Sequence, residues 1–287
     1  MTILDHKIDF AVVFSVANAN PNGDPLNGNR PRQNYDGRGE MSDVAIKRKI
    51  RNRLQDMGES VFVQSNDRKN DAYSSLKERA EGVEELKEIL KSKTGSSDQF
   101  ASVACQNWID VRSFGQVFAF KAEGKGGGVS VGVRGPVSVH PAMSIDPIDI
   151  TSLQITKSVN SESGKERGSD TMGMKHRVDS GVYVFYGSIN TQLAEKTGFT
   201  NGDAARIKEA LLSLFENDVS SARPEGSMEV RRVYWWEHSS KLGQYSSAKV
   251  HRSLVRERLV EEPKAFEDYS FHVLPLEGLK VEELDGR

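Results

Sequence analysis

Cysteine is almost absent from this chain of 287 residues, in which Cys105 stands alone. A single cysteine excludes an internal disulfide and is typical of a protein in the reducing cytoplasm, where we expect this one to work. The six histidines are scattered, and neither the HxxxH nor the CxxC spacing of zinc sites occurs. We therefore expect no bound metal and no cofactor.

Long apolar runs are also missing. The longest strongly apolar run near the amino terminus covers residues 11–17, which is too short to span a bilayer. It follows Asp5 and Asp9 and leads into asparagines, so it lacks the flanks of a signal peptide. We expect no contact with a membrane. The 37% of hydrophobic and 28% of charged residues are typical of a globular protein, and the length indicates one elaborated domain or two.

A strong net charge of one sign is absent too, because the chain carries only −2 in total. The charge is nevertheless unevenly distributed. Residues 30–53 contain eight Lys or Arg against three Asp or Glu, whereas residues 257–287 contain four basic against nine acidic residues. Such a chain can bind a polyanion with one face, or dock one copy head-to-tail on the next. Two unrelated solvated surfaces are the alternative.

The first sixty residues predict a strand, a loop and a helix. Residues 8–17 are continuously apolar and rich in Val and Phe, as in a strand buried on both faces. Prolines, asparagines and glycines make residues 18–28 a loop. A helix then begins behind Ser42 or Asp43 and ends at Gly58, and its apolar stripe consists of Ile46, Ile50, Leu54 and Met57.

The rest of the chain alternates strands, helices and insertions. In order we predict a helical insertion at 67–93, a helix-like stretch at 108–120, a strand broken at Gly135 within 129–139, strands at 148–156 and 178–189, a helix capped by Asp203, and closing strands at 229–236 and 269–274. The strands around the polar stretch 157–177 indicate an extended hairpin. This order suits an α+β fold with helices on one face of a sheet, as in the ferredoxin-like or RRM-like unit.

Several motifs, taken in chain order, resemble those of the backbone subunits of type I CRISPR surveillance complexes. The matching stretches are Asn20–Pro25, Ser42–Arg51, Asp110–Gly115, Gly135–Ser138, His176–Val178 with Gly181–Tyr183, and Asp218–Pro224 followed by Trp236–His238. They extend over most of residues 8–238. The chain is therefore identified as a member of this Cascade backbone family within the RAMP superfamily, and it resembles the type I-C branch.

The resemblance implies a single RRM-like domain over residues 1–287, with a finger-like insertion at 59–107 and a thumb-like hairpin at 151–177. It implies that copies polymerise head-to-tail along one CRISPR RNA and grip its phosphates. Each thumb would displace a nucleotide and leave the other bases free to pair with target DNA. Further expected partners are a subunit that processes the 5′ end of the guide and a large subunit. Guide processing and cleavage belong to other subunits, so we expect no catalytic residue here.

Five basic residues crowd the predicted first helix, namely Lys47, Arg48, Lys49, Arg51 and Arg53. At about 100° per residue, Lys47 and Arg51 share one flank of the apolar stripe, and Arg48 points away from the core. Cations on a rigid helix bind phosphates by displacing counterions, although a solvated basic helix is the alternative. Together with the resemblance, this pattern makes Lys47 and Arg51, with Arg48, candidate RNA ligands.

Polar side chains follow the first predicted strand, and the candidates there are Asn18, Asn20, Asn22, Arg30 and Arg32. Amides and exposed N–H groups in this loop could hold phosphate or ribose oxygens, whereas a plain turn is the alternative. Asp24 or Asp36 supports a competing hypothesis, a metal-dependent ribonuclease of the related type III kind that uses a carboxylate as general base. Gly-Asp-Pro is also a common turn, so Asp24 alone is a weak indication.

Two further groups of candidates lie later in the chain. At the predicted thumb, Met172 and Met174 could wedge between bases, and the cations or donors beside them are Lys157, Lys175, His176 and Arg177. Methionines packed against a neighbouring core are the alternative. After the helix that Asp203 begins, Ser220, Ser221 and Arg223 offer hydrogen-bond donors for phosphates, unless they form only a closing turn. An RRM-type regulator of mRNA is a weaker hypothesis, because its RNP1 aromatic pattern is missing.

Overall fold

A computed structural model describes residues 2–91, 96–120, 129–156 and 172–287 of the chain. In chain order the strands are β1 (Ile8–Ala19), β2 (Gly23–Asp24), β3 (Arg30–Pro31), β4 (Arg38–Met41), β5 (Gly115–Phe120), β6 (Val129–Arg134), β7 (Val137–Val139), β8 (Ala142–Pro147), β9 (Ile150–Thr156), β10 (Met172–Ile189), β11 (Met228–Glu237), β12 (Leu254–Arg258), β13 (Tyr269–Val273) and β14 (Val281–Asp285). The α-helices are α1 (Asp43–Asp56), α2 (Leu76–Glu81), α3 (Glu84–Lys91), α4 (Ser97–Asn107), α5 (Ile109–Phe114), α6 (Thr191–Thr197), α7 (Asn201–Leu212) and α8 (Ser247–Ser253).

A central antiparallel sheet organises this mixed α/β fold. Its strands follow the order β14-β11-β1-β10-β8-β4, and β7 and β9 also pair with β10. The apolar run that predicted a two-faced strand is β1, which lies between β10 and β11. Phe10, Val12 and Phe14 point into one core, and Ala11 and Val13 point into another. The continuous apolar pattern therefore reflects burial on both faces.

Helices cover both faces of the sheet, whereas the sequence predicted them on one face only. On the first face, α1 and α7 pack together over the larger core. On the second face, Val250 of α8 and Leu254 at the start of β12 belong to the smaller core. An apolar surface on each side of β1 has to be covered, and this explains why the prediction of one helical face was wrong.

The two predicted helices that became α1 and α7 are confirmed with small differences at their ends. Ser42 caps α1 by accepting a hydrogen bond from the Ala45 N–H at 3.3 Å, and the helix buries Ile46, Ile50 and Leu54 of the predicted stripe, whereas Met57 follows the helix and is half-buried. Asp203 was expected to cap α7, but the cap is Thr200. Asp203 is the third helical residue and accepts a hydrogen bond from the Thr200 N–H at 2.8 Å, which completes a capping box.

The insertion between α1 and β7 has a core of its own, which extends beyond the finger-like range predicted at 59–107. Phe62, Phe100 and Phe118 pack ring against ring at 5.0–5.1 Å, and Val131 of β6 joins them. The helix-like pattern at 108–120 was only half right. The helix ends at Phe114 and a strand follows from Gly115, which adopts φ +80° at a place where a Cβ would clash with the Val133 carbonyl oxygen.

The end of the chain differs most from expectation. The predicted closing strand at 269–274 is β13, but it pairs with β12 in a separate two-stranded sheet. The outer strand next to β11 is β14, which the sequence did not indicate. Among the residues that the structure describes, no helix has the length and apolar character needed to cross a bilayer.

Candidate nucleic-acid interface

The loop after β1 is tied to two other parts of the chain. The Asn20 N–H donates to the Ala222 carbonyl at 2.9 Å, and the Asn20 side-chain amide donates to the Asn29 carbonyl at 2.7 Å. The Asn22 side-chain oxygen accepts from the Ser42 N–H at 2.9 Å. Asn18 adopts a left-handed φ of +55°. The predicted asparagines therefore hold the loop, the turn near Ala222 and the start of α1 together.

The short hairpin β2–β3 connects this loop with the β9–β10 hairpin. Arg30 Nη1 donates to Ser152 Oγ at 2.9 Å, and Ser152 Oγ also lies 2.8 Å from His176 Nδ1. Arg32 Nη2 lies 3.4 Å from the Asp24 carboxylate. Two candidates that are far apart in the sequence, Arg30 and His176, thus share one serine hydroxyl.

The base of the β9–β10 hairpin presents two different faces, because successive side chains of a strand alternate. Met172, Met174 and His176 lie on one face, with Arg30 reaching the same edge through Ser152. Lys175 and Arg177 lie on the other face; Leu153 is opposite Lys175, and Ile155 lies one step further along the hairpin. The four large apolar side chains are between 43% and 55% exposed. Lys157 and the rest of the predicted thumb up to residue 171 lie outside the described residues.

The basic residues of α1 all have acidic partners. The ion pairs join Lys47 to Asp43 at 3.0 Å, Arg48 to Asp67 at 3.6 Å, Lys49 to Asp218, Arg51 to Asp110 at 3.1 Å, and Arg53 to Glu216 at 2.7 Å. Arg48 is 60% exposed, as the helical geometry predicted. The helix is therefore basic in composition but largely neutralised by its surroundings.

Arg51 occupies a structural position that the sequence did not indicate. Its side chain is 14% exposed, its guanidinium lies 5.1 Å above the Phe114 ring, and its Nε donates to the buried Asp110 carboxylate. Asp110 also accepts from the Phe62 and Val63 N–H groups at 2.7 and 3.0 Å. The RNA-binding role predicted for Arg51 stays a prediction.

Lys49 and Asp218 form a buried pair beside the predicted Ser220–Arg223 site. Lys49 Nζ donates to Asp218 Oδ2, and Arg223 Nε donates to the same oxygen at 3.0 Å. Burial lowers the pKa of Lys49 from 10.5 to about 8, although the Asp218 carboxylate opposes this by raising it. Ser220 and Arg223 close the turn with paired backbone hydrogen bonds of 2.9 and 3.0 Å. Arg223 is thus held at the protein surface by a carboxylate that it shares with Lys49.

Neither Lys49 nor Asp218 was among the predicted site residues. At about 100° per residue Lys49 lies on the flank of the apolar stripe opposite Lys47 and Arg51, yet its side chain is only 6% exposed. A lysine buried in this way needs a carboxylate partner. Its partner lies 169 residues further along the chain, and no local pattern identifies it.

The carboxylates of the loop are used locally. Asp24 Oδ1 accepts from the Leu26 N–H at 3.2 Å, in addition to its ion pair with Arg32. Within residues 2–91, 96–120, 129–156 and 172–287, no group of three or more His, Cys, Asp or Glu side chains comes together in a way that could hold a metal ion.

Comparisons with known proteins find similarity to CRISPR-associated proteins. The family model for CRISPR-associated protein Cas7 matches residues 6–274. The CRISPR-associated protein Cas7 of Haloferax volcanii is 26% identical over 235 residues, which cover 77% of this chain and 67% of that protein. A solved chain of a CRISPR RNA-guided surveillance complex in a pre-nicking state has a TM-score of 0.49 at 16% identity, and covers 80% of this chain and 78% of its own length. A chain of another CRISPR RNA-guided surveillance complex has a TM-score of 0.45 at 16% identity, with 80% and 68% covered.

Proposed function

Because the chain belongs to the CRISPR-associated protein Cas7 family, whose model matches residues 6–274, we propose that it is a CRISPR RNA-binding backbone subunit of a surveillance complex. Copies of it bind head-to-tail along the guide RNA and present the guide bases for pairing with target DNA. Its further partners in this proposal are the subunit that processes the 5′ end of the guide and the large subunit. The motif resemblance extends the proposal to the type I-C branch.

One observation carries this proposal on the structural side. Polar and basic residues from four separate segments meet where β1 ends, because Asn20 bonds to Ala222 and Arg30 meets His176 at Ser152. Such convergence of amides and cations from distant segments at one end of a sheet suits a phosphate backbone, which requires several donors along its path. A plain turn, the alternative for the loop after β1 and for residues 220–223, does not require these segments to come together.

An RRM-like palm is also part of the proposal. Strands β11, β1, β10 and β8 lie side by side in that order, with α1 after β1 and α7 between β10 and β11. This arrangement supports the split β-α-β unit of the ferredoxin-like fold, on which RNA-binding palms are built.

We propose no catalytic role for the chain. Asp24 or Asp36 was the carboxylate behind the ribonuclease hypothesis, and Asp24 Oδ1 accepts from the Leu26 N–H and also faces Arg32. This use in the loop supports a structural role for Asp24. In this proposal the functional residues of the protein are therefore those that bind RNA.

The proposal is tested by the salt dependence of binding to single-stranded CRISPR RNA, measured by fluorescence anisotropy between 50 and 200 mM salt. The variant Lys175→Glu with Arg177→Glu should weaken binding for every guide sequence, because phosphate contacts carry little sequence information. Each lost phosphate contact should reduce the log–log salt slope by roughly 0.7, which makes about 1.4 for two.

A matched control exists at the other end of β1. Lys241 follows β11 in a loop whose Ser240 carbonyl accepts from the Lys7 N–H, and Arg252 is exposed on α8. Lys241→Glu with Arg252→Glu makes the same change in net charge away from the interface. An equal loss of slope in this control would show a general charge effect and would contradict the proposed interface. Absence of RNA binding by the unaltered protein would contradict the proposed function itself.

A further inference from the structure

A tight turn between β3 and β4 is closed by hydrogen bonds that do not involve Tyr35, the residue at its tip. The Asn34 N–H donates to the Arg38 carbonyl at 2.9 Å, and the Gly37 N–H donates to the Asn34 carbonyl at 3.1 Å. The Asn34 side-chain oxygen accepts from the N–H groups of Asp36 and Arg38 at 3.0 and 2.9 Å. Gly37 supplies the left-handed φ of +75° that the turn requires. Asparagine and glycine therefore form the turn, and Tyr35 does not contribute to it.

The turn is braced against the strand that leads into the β9–β10 hairpin. Gln33 Nε2 donates to the carbonyls of Gly37 and Ile148, each at 3.1 Å. The Ile148 N–H donates to the Gly37 carbonyl at 3.0 Å, and Arg38 pairs with Pro147. These bonds fix the position of the turn next to the first residues of β9, on the segment that also carries Arg30 and Arg32.

Tyr35 projects from this braced turn into solvent. Its relative exposure of 110% is the largest among the exposed large hydrophobic residues of the described chain. Among the described residues, the Tyr35 ring has no aromatic or cation partner and its hydroxyl no hydrogen bond, and the side chain of Arg38 likewise has no ion pair or hydrogen bond. A rigid turn thus presents an aromatic ring and a cation that the fold itself does not use.

We propose that Tyr35 stacks on an unpaired base of the bound single-stranded RNA and that Arg38 contacts a phosphate beside it. The inference rests on the proposed function and adds a base-contacting position to it. Aromatic rings near cations are the combination that binds single strands, because every base offers a face for stacking. Protein docking would favour a contiguous apolar patch, whereas the neighbours of Tyr35 in the turn are Asn34, Asp36 and Gly37.

The test compares two oligomers of the same length, a single-stranded RNA and its abasic analogue, by fluorescence anisotropy. Tyr35→Ala should weaken binding of the base-containing strand roughly five- to hundredfold, as expected for the loss of one stacked base. Binding of the abasic strand should stay unchanged, because it offers phosphates without bases. Tyr35→Phe should keep the affinity, and Tyr35→Leu should lose it although it keeps an apolar side chain.

A tryptophan placed at this position supplies a direct readout. The natural tryptophans Trp108, Trp235 and Trp236 are between 1% and 5% exposed, so the Tyr35→Trp protein would contain one exposed indole. Base-containing RNA should quench its fluorescence and shield it from acrylamide, whereas the abasic strand should not. Leu242→Ala is the control for Tyr35→Ala in the binding measurements, since Leu242 is 75% exposed in the loop at the opposite end of β1.

The outcomes separate the two levels of the argument. If the unaltered protein binds neither oligomer, the proposed function fails, and the inference fails with it. If RNA binding is intact and Tyr35→Ala binds both oligomers normally, only the inference is overturned. The same holds if Tyr35→Ala binds RNA normally but prevents self-association in light scattering, because Tyr35 would then contact a neighbouring protein copy.

Discussion

Replacing Asp218 by Asn tests the buried ion pair that connects α1 with the turn at Ser220. The substitution keeps the shape of the side chain but removes the charge that faces Lys49 and Arg223. The Lys49 side chain is only 6% exposed, so water cannot replace the lost carboxylate. We expect a large loss of stability, because breaking one partner of a buried pair typically costs about 3–5 kcal/mol.

The pKa of Lys49 shows that its charge is costly to bury. Burial lowers it from 10.5 to about 8 even with Asp218 present. At about 1.4 kcal/mol for each pH unit, this difference means that keeping Lys49 charged in the folded protein costs ~3 kcal/mol relative to the unfolded chain. Without the Asp218 charge the pKa of Lys49 falls further, so the cost at neutral pH increases.

The sign of the pH dependence follows from proton binding. The folded protein holds the Lys49 proton more weakly than the unfolded chain, so the free energy of unfolding rises with pH from about 8 to 10.5 in the unaltered protein. In the Asp218→Asn protein the rise begins below pH 8. The stability difference between the two proteins should therefore be largest at pH 6, narrow towards pH 8, and remain constant above it.

Urea unfolding at pH 6, 7, 8 and 9, followed by tryptophan fluorescence, measures this difference. The control repeats the substitution in a Lys49→Met background, where no ammonium is left; there Asp218→Asn should cost less, because only the Arg223 contact is lost, and the cost should not change between pH 6 and 8. A cost under about 1 kcal/mol at pH 6, or a cost that does not change between pH 6 and 8, would refute the assignment of a charged, buried Lys49 held by Asp218.

Two further predictions concern assembly and chemistry. With saturating CRISPR RNA the protein should form large oligomers in light scattering, because a head-to-tail contact does not close on itself unless its rotation permits; a monomer under these conditions contradicts the backbone role. Complementary RNA incubated with the protein and Mg²⁺ should stay intact, because Asp24 is engaged by Leu26 and Arg32; regularly spaced cuts that disappear in Asp24→Asn would establish a ribonuclease instead.

Elements with a strong local pattern were predictable from the sequence. The continuous apolar run of β1, the stripe and serine cap of α1, and the stripe of α7 each reflect how one segment meets a core. Local patterns stop being informative where a neighbour decides the structure. Valine and phenylalanine in residues 115–120 suit either a helix or a strand, and the pairing with β6 makes them a strand. Likewise, β14 is too polar to indicate that it completes the sheet beside β11.

The candidate interface was predictable to the same extent: its segments could be identified from local composition, but the contacts between them could not. The sequence identified the polar loop, the basic helix and the thumb as separate segments, since each has an unusual composition. It could not show that Arg51 and Lys49 are already engaged, because their partners Asp110 and Asp218 lie 59 and 169 residues away. A count of charges therefore overstated the positive surface of α1, whose cations are balanced by carboxylates from other elements.

This balance changes which residues are expected to contact RNA. A cation that already has a buried carboxylate partner gains little from a phosphate, because it must first give up an interaction worth several kcal/mol. Exposed cations such as Arg38 and Arg48 give up little or nothing, since exposed ion pairs contribute only about 0–1 kcal/mol. The gain from RNA binding should therefore come mainly from the loop around Asn34 and from the hairpin base, while the buried pairs of α1 hold the segments in register.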